Sequence, residues 1–249
     1  MSSRVQQKDA ARKRREAIEA EERRAGQRRG ARRRLAIIAA AAVALTAGAV
    51  TVSRLSQEDA VAQPDAVSQR FAGLTQDGIR LGSPSAPVTL VEFADLQCPF
   101  CGAYARDVLP TIIERYVRPG KLKLELNLLT FVGEDSVKAG RMAAATTAQD
   151  RFWGFTDAFF AAQGQENTGY VTDDFLEATA TAAGADHDAA AGDDATADRV
   201  LKQAQTAADR LGVSSTPSFF IRRGHDETPL QVEDLKPDTF TAALDVALR

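Results

Sequence analysis

Cys98 and Cys101 are the residues of this chain best suited to chemistry, and they are its only thiols. They enclose Pro99 and Phe100 in a C-x-x-C spacing. A thiol in the first turn of a helix is stabilised as a thiolate by the positive helix end, and a second thiol one turn later can close a disulfide with it. The spacing therefore indicates a redox-active pair.

Two other interpretations of this pair stay open. A structural disulfide around so short a loop would contribute only about 2 kcal/mol through the unfolded chain. A structural zinc site needs four protein ligands, and the only other candidates are His187 and His225, with no second C-x-x-C. We favour the redox interpretation, which requires neither a metal nor a cofactor.

The residues around the pair predict the elements that position it. Residues 87–93 are rich in β-branched and apolar types and predict a buried strand just before the pair. A helical pattern then runs from the pair to about residue 117, where Pro119 and Gly120 end it. Residues 121–130 alternate polar and apolar types, which predicts a second strand.

The remainder of the chain adds a helical block and a second strand pair. Residues 135–211 are almost wholly helical in character. Further strands are predicted at 79–81, 218–222 and 229–232, and a last helix at 237–248. The sum is βαβ, a helical insertion, then ββα, which is an α/β fold.

An uncharged apolar run, residues 35–53, precedes the domain. As a helix it would span about 28 Å, close to the thickness of the hydrocarbon core of a bilayer. Residues 1–34, with thirteen basic and five acidic side chains, would remain cytoplasmic, because positive residues stay on that side. We therefore predict a signal-anchor, a linker over 54–75 and an extracytoplasmic domain over 76–249.

Two further inferences concern location and partners. Ala60-Val61-Ala62 resembles a signal-peptidase site, so secretion after cleavage is the alternative to a single-pass anchor. Residues 55–249 carry seventeen basic and twenty-nine acidic side chains, and a body this acidic is a poor partner for a nucleic-acid backbone.

At four places the sequence resembles the DsbA-like branch of the thioredoxin superfamily. The resemblance covers about residues 76–249 and implies a thioredoxin-like fold with an inserted helical subdomain. Its four parts are the stretch from Val91 to Cys101 (VEFADLQCPFC), the helical block, the stretch 151–160 (RFWGFTDAFF) and the stretch 212–221 (GVSSTPSFFI).

The resemblance implies a role for each matching residue. Cys98 would be the exposed sulfur that substrates attack, and Cys101 its buried partner. Pro217 would follow a cis peptide bond and lie against the disulfide. Glu92 would assist proton transfer at the inner sulfur, although it could instead be an ordinary surface carboxylate.

Substrate contacts follow from the same resemblance. The backbone of Thr216 would pair with an extended substrate segment, as in strand addition. Phe100, and Pro99 beside it, would contact apolar substrate next to the disulfide.

The resemblance also implies an activity, which we take to be disulfide donation to exported proteins with cysteine thiols. A quinone-linked membrane oxidase would then re-oxidise the pair. The dipeptide Pro99-Phe100 departs from the Pro-His of strongly oxidising members, which leaves a reductase or isomerase as the alternative. A redox-inert, membrane-tethered binding module is a more distant alternative.

Overall fold

The computed structural model describes residues 70–249, in which six strands form one mixed sheet. The strands are β1 (Gln76–Asp77), β2 (Arg80–Leu81), β3 (Thr89–Ala94), β4 (Lys123–Leu128), β5 (Ser218–Arg223) and β6 (Asp226–Pro229). Their order in the sheet is β1-β2-β4-β3-β5-β6. The central strands β3 and β4 are parallel, and each other neighbouring pair is antiparallel.

A long helix, α1, connects the two parallel strands. It consists of Pro99–Ala103, Tyr104–Val108, Leu109–Ile112 and Ile113–Val117, of which the second and fourth segments are π-helical. Pro110 lies inside this helix and has no N–H to donate, which is a usual cause of such local changes in winding. The remaining helices are α2 (Glu134–Ala145), α3 (Phe152–Ala161), α4 (Asp173–Ala182), α5 (His187–Ala191), α6 (Asp194–Leu211) and α7 (Pro237–Ala247).

Helices cover both faces of β3. Side chains alternate along a strand, so Val91 and Phe93 point to one face, where they pack with Ala204 and Ala208 of α6. Leu90 and Ala94 belong to the larger core, which includes residues of α1 and α7. Glu92 shares the alternation of Leu90, so its side chain faces α1.

The helical insertion lies between β4 and β5, as the sequence predicts, and divides into helices α2 to α6. Side-chain caps begin three of them, because Thr172, Asp186 and Asp193 accept hydrogen bonds from backbone N–H groups of α4, α5 and α6. Gly212, in the left-handed conformation (φ 68°), ends α6 and turns the chain toward β5.

The α/β architecture is confirmed, whereas the last strand is misplaced in the prediction. Residues 229–232 were expected to form it, but β6 is Asp226–Pro229. The reason is the tight turn at Gly224 (φ 59°), which pairs Arg223 directly with Asp226. Polar residues therefore form this edge strand, where a hydrophobic pattern is not required.

The upstream boundary also differs from the expectation. The sequence predicts that residues 70–75 belong to the linker. In the structure Phe71 is buried and packs edge-on against Trp153, with ring centroids 6.3 Å apart. The predicted tail (1–34), the predicted signal-anchor (35–53) and most of the predicted linker (54–75) lie outside the described residues. Within 70–249, no helix has both the length and the apolar character needed to span a bilayer.

A buried carboxylate, Glu125, connects three strands. Arg222 of β5 donates to both of its oxygens at 2.8 Å, and Arg80 of β2 donates at 3.1 Å. Burial alone would raise the pKa of Glu125, but these two guanidinium groups lower it overall. Although polar and apolar residues alternate along β4, the strand is buried on both faces. The charge of Glu125 is compensated there by Arg80 and Arg222, which lie far from it in the sequence.

Replacing Glu125 with Gln should lower the free energy of unfolding by about 2–3 kcal/mol, since a charged hydrogen-bond acceptor is lost and Arg222 is left under-compensated. Because the folded-state pKa is depressed, this contribution is present above the unfolded-state pKa. It is lost as the pH falls through the folded-state pKa. Urea unfolding of both proteins between pH 3 and 7 would measure it.

The matched control is Glu114→Gln. Glu114 also pairs with an arginine, Arg118 at 2.7 Å, but its side chain is 64% exposed. A surface pair of this kind contributes at most about 0.5 kcal/mol. Equal losses in the two variants would contradict a special role for the buried carboxylate.

Candidate active site

The cysteine pair lies where β3 ends and α1 begins. The backbone N–H of Cys98 donates to the Asp95 carbonyl oxygen at 3.0 Å, which closes a turn after the strand. Cys98 is the N-cap residue of α1, and Pro99 occupies the first helical position, where its missing N–H costs nothing. The unpaired N–H groups and the positive end of the helix therefore surround the Cys98 sulfur.

The two cysteines differ in burial, but less than expected. Cys101 is fully buried, as the resemblance implied, whereas Cys98 retains only 6% of its exposure. Both are free thiols in the structure. The two residues that follow Cys98, Pro99 and Phe100, are exposed.

The two sulfurs differ strongly in acidity. A hydrogen bond from the Cys101 thiol, partly offset by burial and helped by the Thr216 side chain, lowers the pKa of Cys98 to about 6. Backbone N–H groups of Phe100 and Cys101 add to this. Burial raises the pKa of the Cys101 thiol far above its usual range. At neutral pH the reduced pair is therefore a Cys98 thiolate beside a Cys101 thiol.

Glu92 is buried on the α1 side of the sheet and is not a surface carboxylate. Burial, and secondly the nearby charge of Cys98, raise the pKa of Glu92 to about 8. Glu92 also contributes to the raised pKa of Cys101, so the two groups interact. A carboxyl group with this pKa can hold a proton at neutral pH and exchange it with a neighbour.

The loop before β5 contacts the outer sulfur. The Thr216–Pro217 peptide bond is cis, as the resemblance implied. The Cys98 thiol donates to the Thr216 carbonyl oxygen at 3.4 Å, and the thiolate accepts from the Thr216 side chain. Thr216 and Pro217 are both half-buried, so this loop lies beside the Cys98 sulfur and is partly accessible.

Two large apolar side chains are exposed, one between the cysteines and one in the loop after β4. Phe100, between the cysteines, is 65% exposed. Phe131, in the loop after β4, is 57% exposed. The sequence did not single out Phe131, because nothing in its neighbourhood links it to the cysteine pair.

Asp95 holds this second loop against the first. One of its oxygens accepts from the N–H of Gln97 at 2.8 Å. The other accepts from the N–H groups of Phe131 (3.0 Å) and Val132 (3.1 Å) and from the Ser136 hydroxyl (2.6 Å). The Asp95 side chain is fully buried and joins the two loops.

The helical insertion contacts the active-site loop directly through Gln163, another residue that the sequence did not indicate. Its Nε2 donates to the carbonyl oxygens of Leu96 (2.8 Å) and Cys98 (3.0 Å). A Cβ added at Gly102 would lie 2.1 Å from Gln163 Oε1, so any larger residue there would displace the Gln163 side chain from these hydrogen bonds. The insertion thus fixes the backbone on which Cys98 is placed.

Replacing Cys101 with Ala should raise the pKa of Cys98 from about 6 toward its ordinary value of 9.0, because the largest stabilising contact of the thiolate is removed. The pH dependence of Cys98 alkylation by iodoacetamide would measure the change. In the control Cys98→Ala, the remaining Cys101 should stay unreactive at neutral pH. An unchanged midpoint in Cys101→Ala would assign the effect to the helix N–H groups instead.

Comparisons with known proteins agree with this geometry. Among curated proteins, a probable disulfide bond formation protein D of Bacillus cereus is 35% identical over 114 residues, covering 45% of this chain and 52% of that protein. The chain thus matches about half the length of the curated relative.

Solved structures share the fold. BdbD from Bacillus subtilis superposes with a TM-score of 0.60 at 21% identity, covering 69% of this chain and 93% of that one. The Wolbachia pipientis protein α-DsbA1 superposes with a TM-score of 0.56 at 24% identity, covering 68% and 90%. At these identities the likeness establishes the fold.

A family model described as thioredoxin matches residues 74–245, which include both cysteines, Glu92 and the Thr216–Pro217 loop. The similarity to DsbA structures and to disulfide bond formation protein D confirms the resemblance seen in the sequence. The chain therefore belongs to the thioredoxin family.

Proposed function

We propose that this protein is a thiol–disulfide oxidoreductase that donates the Cys98–Cys101 disulfide to proteins outside the cytoplasm. The observation that carries the proposal is the difference between the two sulfurs. The pKa of Cys98 is lowered to about 6 at a helix N-terminus, and that of buried Cys101 is raised. A structural disulfide has no need of this asymmetry, whereas exchange chemistry does.

The reaction would start from the oxidised pair. A substrate thiolate attacks the Cys98 sulfur, the Cys98–Cys101 bond breaks, and Cys101 leaves with the bonding electrons. Glu92 supplies the proton that converts the departing thiolate to a thiol. A second substrate thiolate then attacks the substrate sulfur of the mixed disulfide and releases Cys98 as a thiolate. Two electrons pass from the substrate dithiol to the enzyme.

The direction of exchange depends on how well the reduced form is stabilised. A stable Cys98 thiolate lowers the energy of the reduced enzyme and makes the disulfide more oxidising. Phe100 cannot contribute a charge here, but the Cys101 thiol, the Thr216 side chain and two backbone N–H groups do stabilise the thiolate. These contacts favour a role as a disulfide donor over a role as a reductase.

Substrates would bind as extended segments. The backbone of Thr216 would pair with such a segment, and the exposed rings of Phe100 and Phe131 would contact apolar residues next to the substrate cysteine. Pro99 would contribute to the same surface. We further propose anchoring through residues 35–53 and re-oxidation by a quinone-linked membrane oxidase.

A reductase or isomerase is the second candidate. The observation that favours it is Phe100 itself, which stands where an imidazole would further stabilise the thiolate. Such an enzyme would use the same attack by Cys98 on a substrate disulfide, followed by attack of Cys101 on the mixed disulfide.

The reduction potential of the Cys98–Cys101 pair, equilibrated in glutathione buffers, should lie between about −120 and −180 mV, the range of oxidising members and isomerases. A value near about −270 mV would contradict disulfide donation and favour the reductase. Phe100→His is the informative variant, because an added imidazolium should stabilise the thiolate and make the pair more oxidising. Cys98→Ser should abolish exchange, and a wild-type pair that does not equilibrate with glutathione at all would indicate a redox-inert binding module.

A further inference from the structure

A small cavity lies beside Glu92, on the side of the sheet that faces α1 and α3. Its volume is about 10 Å³, which is room for about one water molecule. Apolar side chains such as Ala105 and Leu126 form much of its wall, and Glu92, Trp153 and Asp157 are also among its lining residues. Glu92 and Asp157 thus line the same enclosed space.

The polar groups around this cavity are not fully paired. Within the described residues, the buried indole nitrogen Nε1 of Trp153 has no hydrogen-bond partner. Buried donors are normally satisfied by protein or by ordered water. The residues that line this cavity thus include two carboxylic acids and a tryptophan with an unpaired indole N–H, which are the kinds of group that hold a buried water.

Asp157 connects the cavity with the surface. Its side chain is only 7% exposed, and it forms an ion pair with Arg70, which is 34% exposed. Burial raises the pKa of Asp157 even though Arg70 opposes the shift. Asp157 is therefore a buried carboxyl group whose one charged partner reaches solvent.

We propose that Asp157 relays protons between solvent and Glu92 through this cavity. The inference rests on the proposed exchange at Cys98 and Cys101 with Glu92 as proton donor. Asp157 acts through Glu92 and touches no reacting atom, so it is a positioning residue.

The proton balance requires such a route. When Cys101 departs as a thiolate, it takes the proton of the Glu92 carboxyl group, and Glu92 becomes a carboxylate. Because the pKa of Glu92 is about 8, Glu92 regains a proton from solvent at neutral pH, although its own side chain is buried. Asp157, which is 7% exposed, takes up this proton beside Arg70 and passes it through the cavity water to Glu92. No electrons move along this path. Before re-oxidation Glu92 must return the proton to solvent by the same path, so that it can accept the proton of the Cys101 thiol.

A purely structural role for Asp157 is the competing explanation, since the ion pair with Arg70 could simply hold the segment around Phe71 against α3. Two variants of the full chain separate the explanations, because Asp157→Asn and Arg70→Met break the same ion pair. Only Asp157→Asn removes the carboxyl group. The readout is single-turnover oxidation of the reduced protein by oxidised glutathione, quenched with acid at intervals, between pH 5 and 9. In this direction Glu92 must first lose its proton through the relay before it can accept the proton of the Cys101 thiol.

The relay predicts that Asp157→Asn slows the pH-dependent step about tenfold, a fraction of what general acid–base catalysis supplies. Arg70→Met should retain the wild-type rate within about twofold. The equilibrium with glutathione should change by less than about twofold in both, since a relay affects rate and not equilibrium. Equal slowing in both variants, or an unchanged pH profile in Asp157→Asn, would overturn the relay.

Two further variants keep the test decisive. In an Glu92→Gln background, adding Asp157→Asn should cause no further slowing, because both act on one proton. If Asp157→Asn does not fold, Ala105→Val, which fills the cavity but leaves Asp157 and Arg70 in place, should slow the same step. A full rate in Ala105→Val would then overturn the relay. Failure of the wild-type protein to exchange at all would instead overturn the proposed function.

Discussion

Both faces of β3 are covered by helices, and the chemistry of the site depends on this constraint. Burial on the α1 side raises the pKa of Glu92 and Cys101 together, so both hold protons at neutral pH. Cys98, at the edge of that buried region and at a helix N-terminus, has the opposite shift. A short stretch of chain, from a strand into a helix, thus separates an acidic sulfur from a protonated one by a single helical turn.

The helical insertion contributes to the site from its own side. Gln163 holds the backbone of the active-site loop, and α3 places Trp153 and Asp157 near Glu92. Asp95 joins the same loop to the loop that carries Phe131. The thioredoxin unit supplies the reacting sulfurs, and the insertion determines how rigidly they are held and which groups surround the buried carboxyl.

The sequence predicts what depends on local order. The C-x-x-C spacing, the preceding apolar strand and the proline at the helix start all act within a dozen residues, and α1 forms where they indicate. Contacts of Gln163 with Cys98, or of Arg222 with Glu125, join residues 65 and 97 positions apart, and no spacing rule connects them. Hydrophobicity predicts the last strand at 229–232, whereas the turn at Gly224 sets the register of β6 and places it at Asp226–Pro229.

Trp153 is the chain's only tryptophan, and its position has a spectroscopic consequence. Its ring lines the cavity that Glu92 also lines, and it packs edge-on against Phe71 of the segment that enters the domain. Carboxyl groups near an indole quench its emission to a degree that depends on their protonation. The emission of this protein therefore reports, without any label, both the protonation of the buried carboxyl groups and the packing of Phe71 against Trp153.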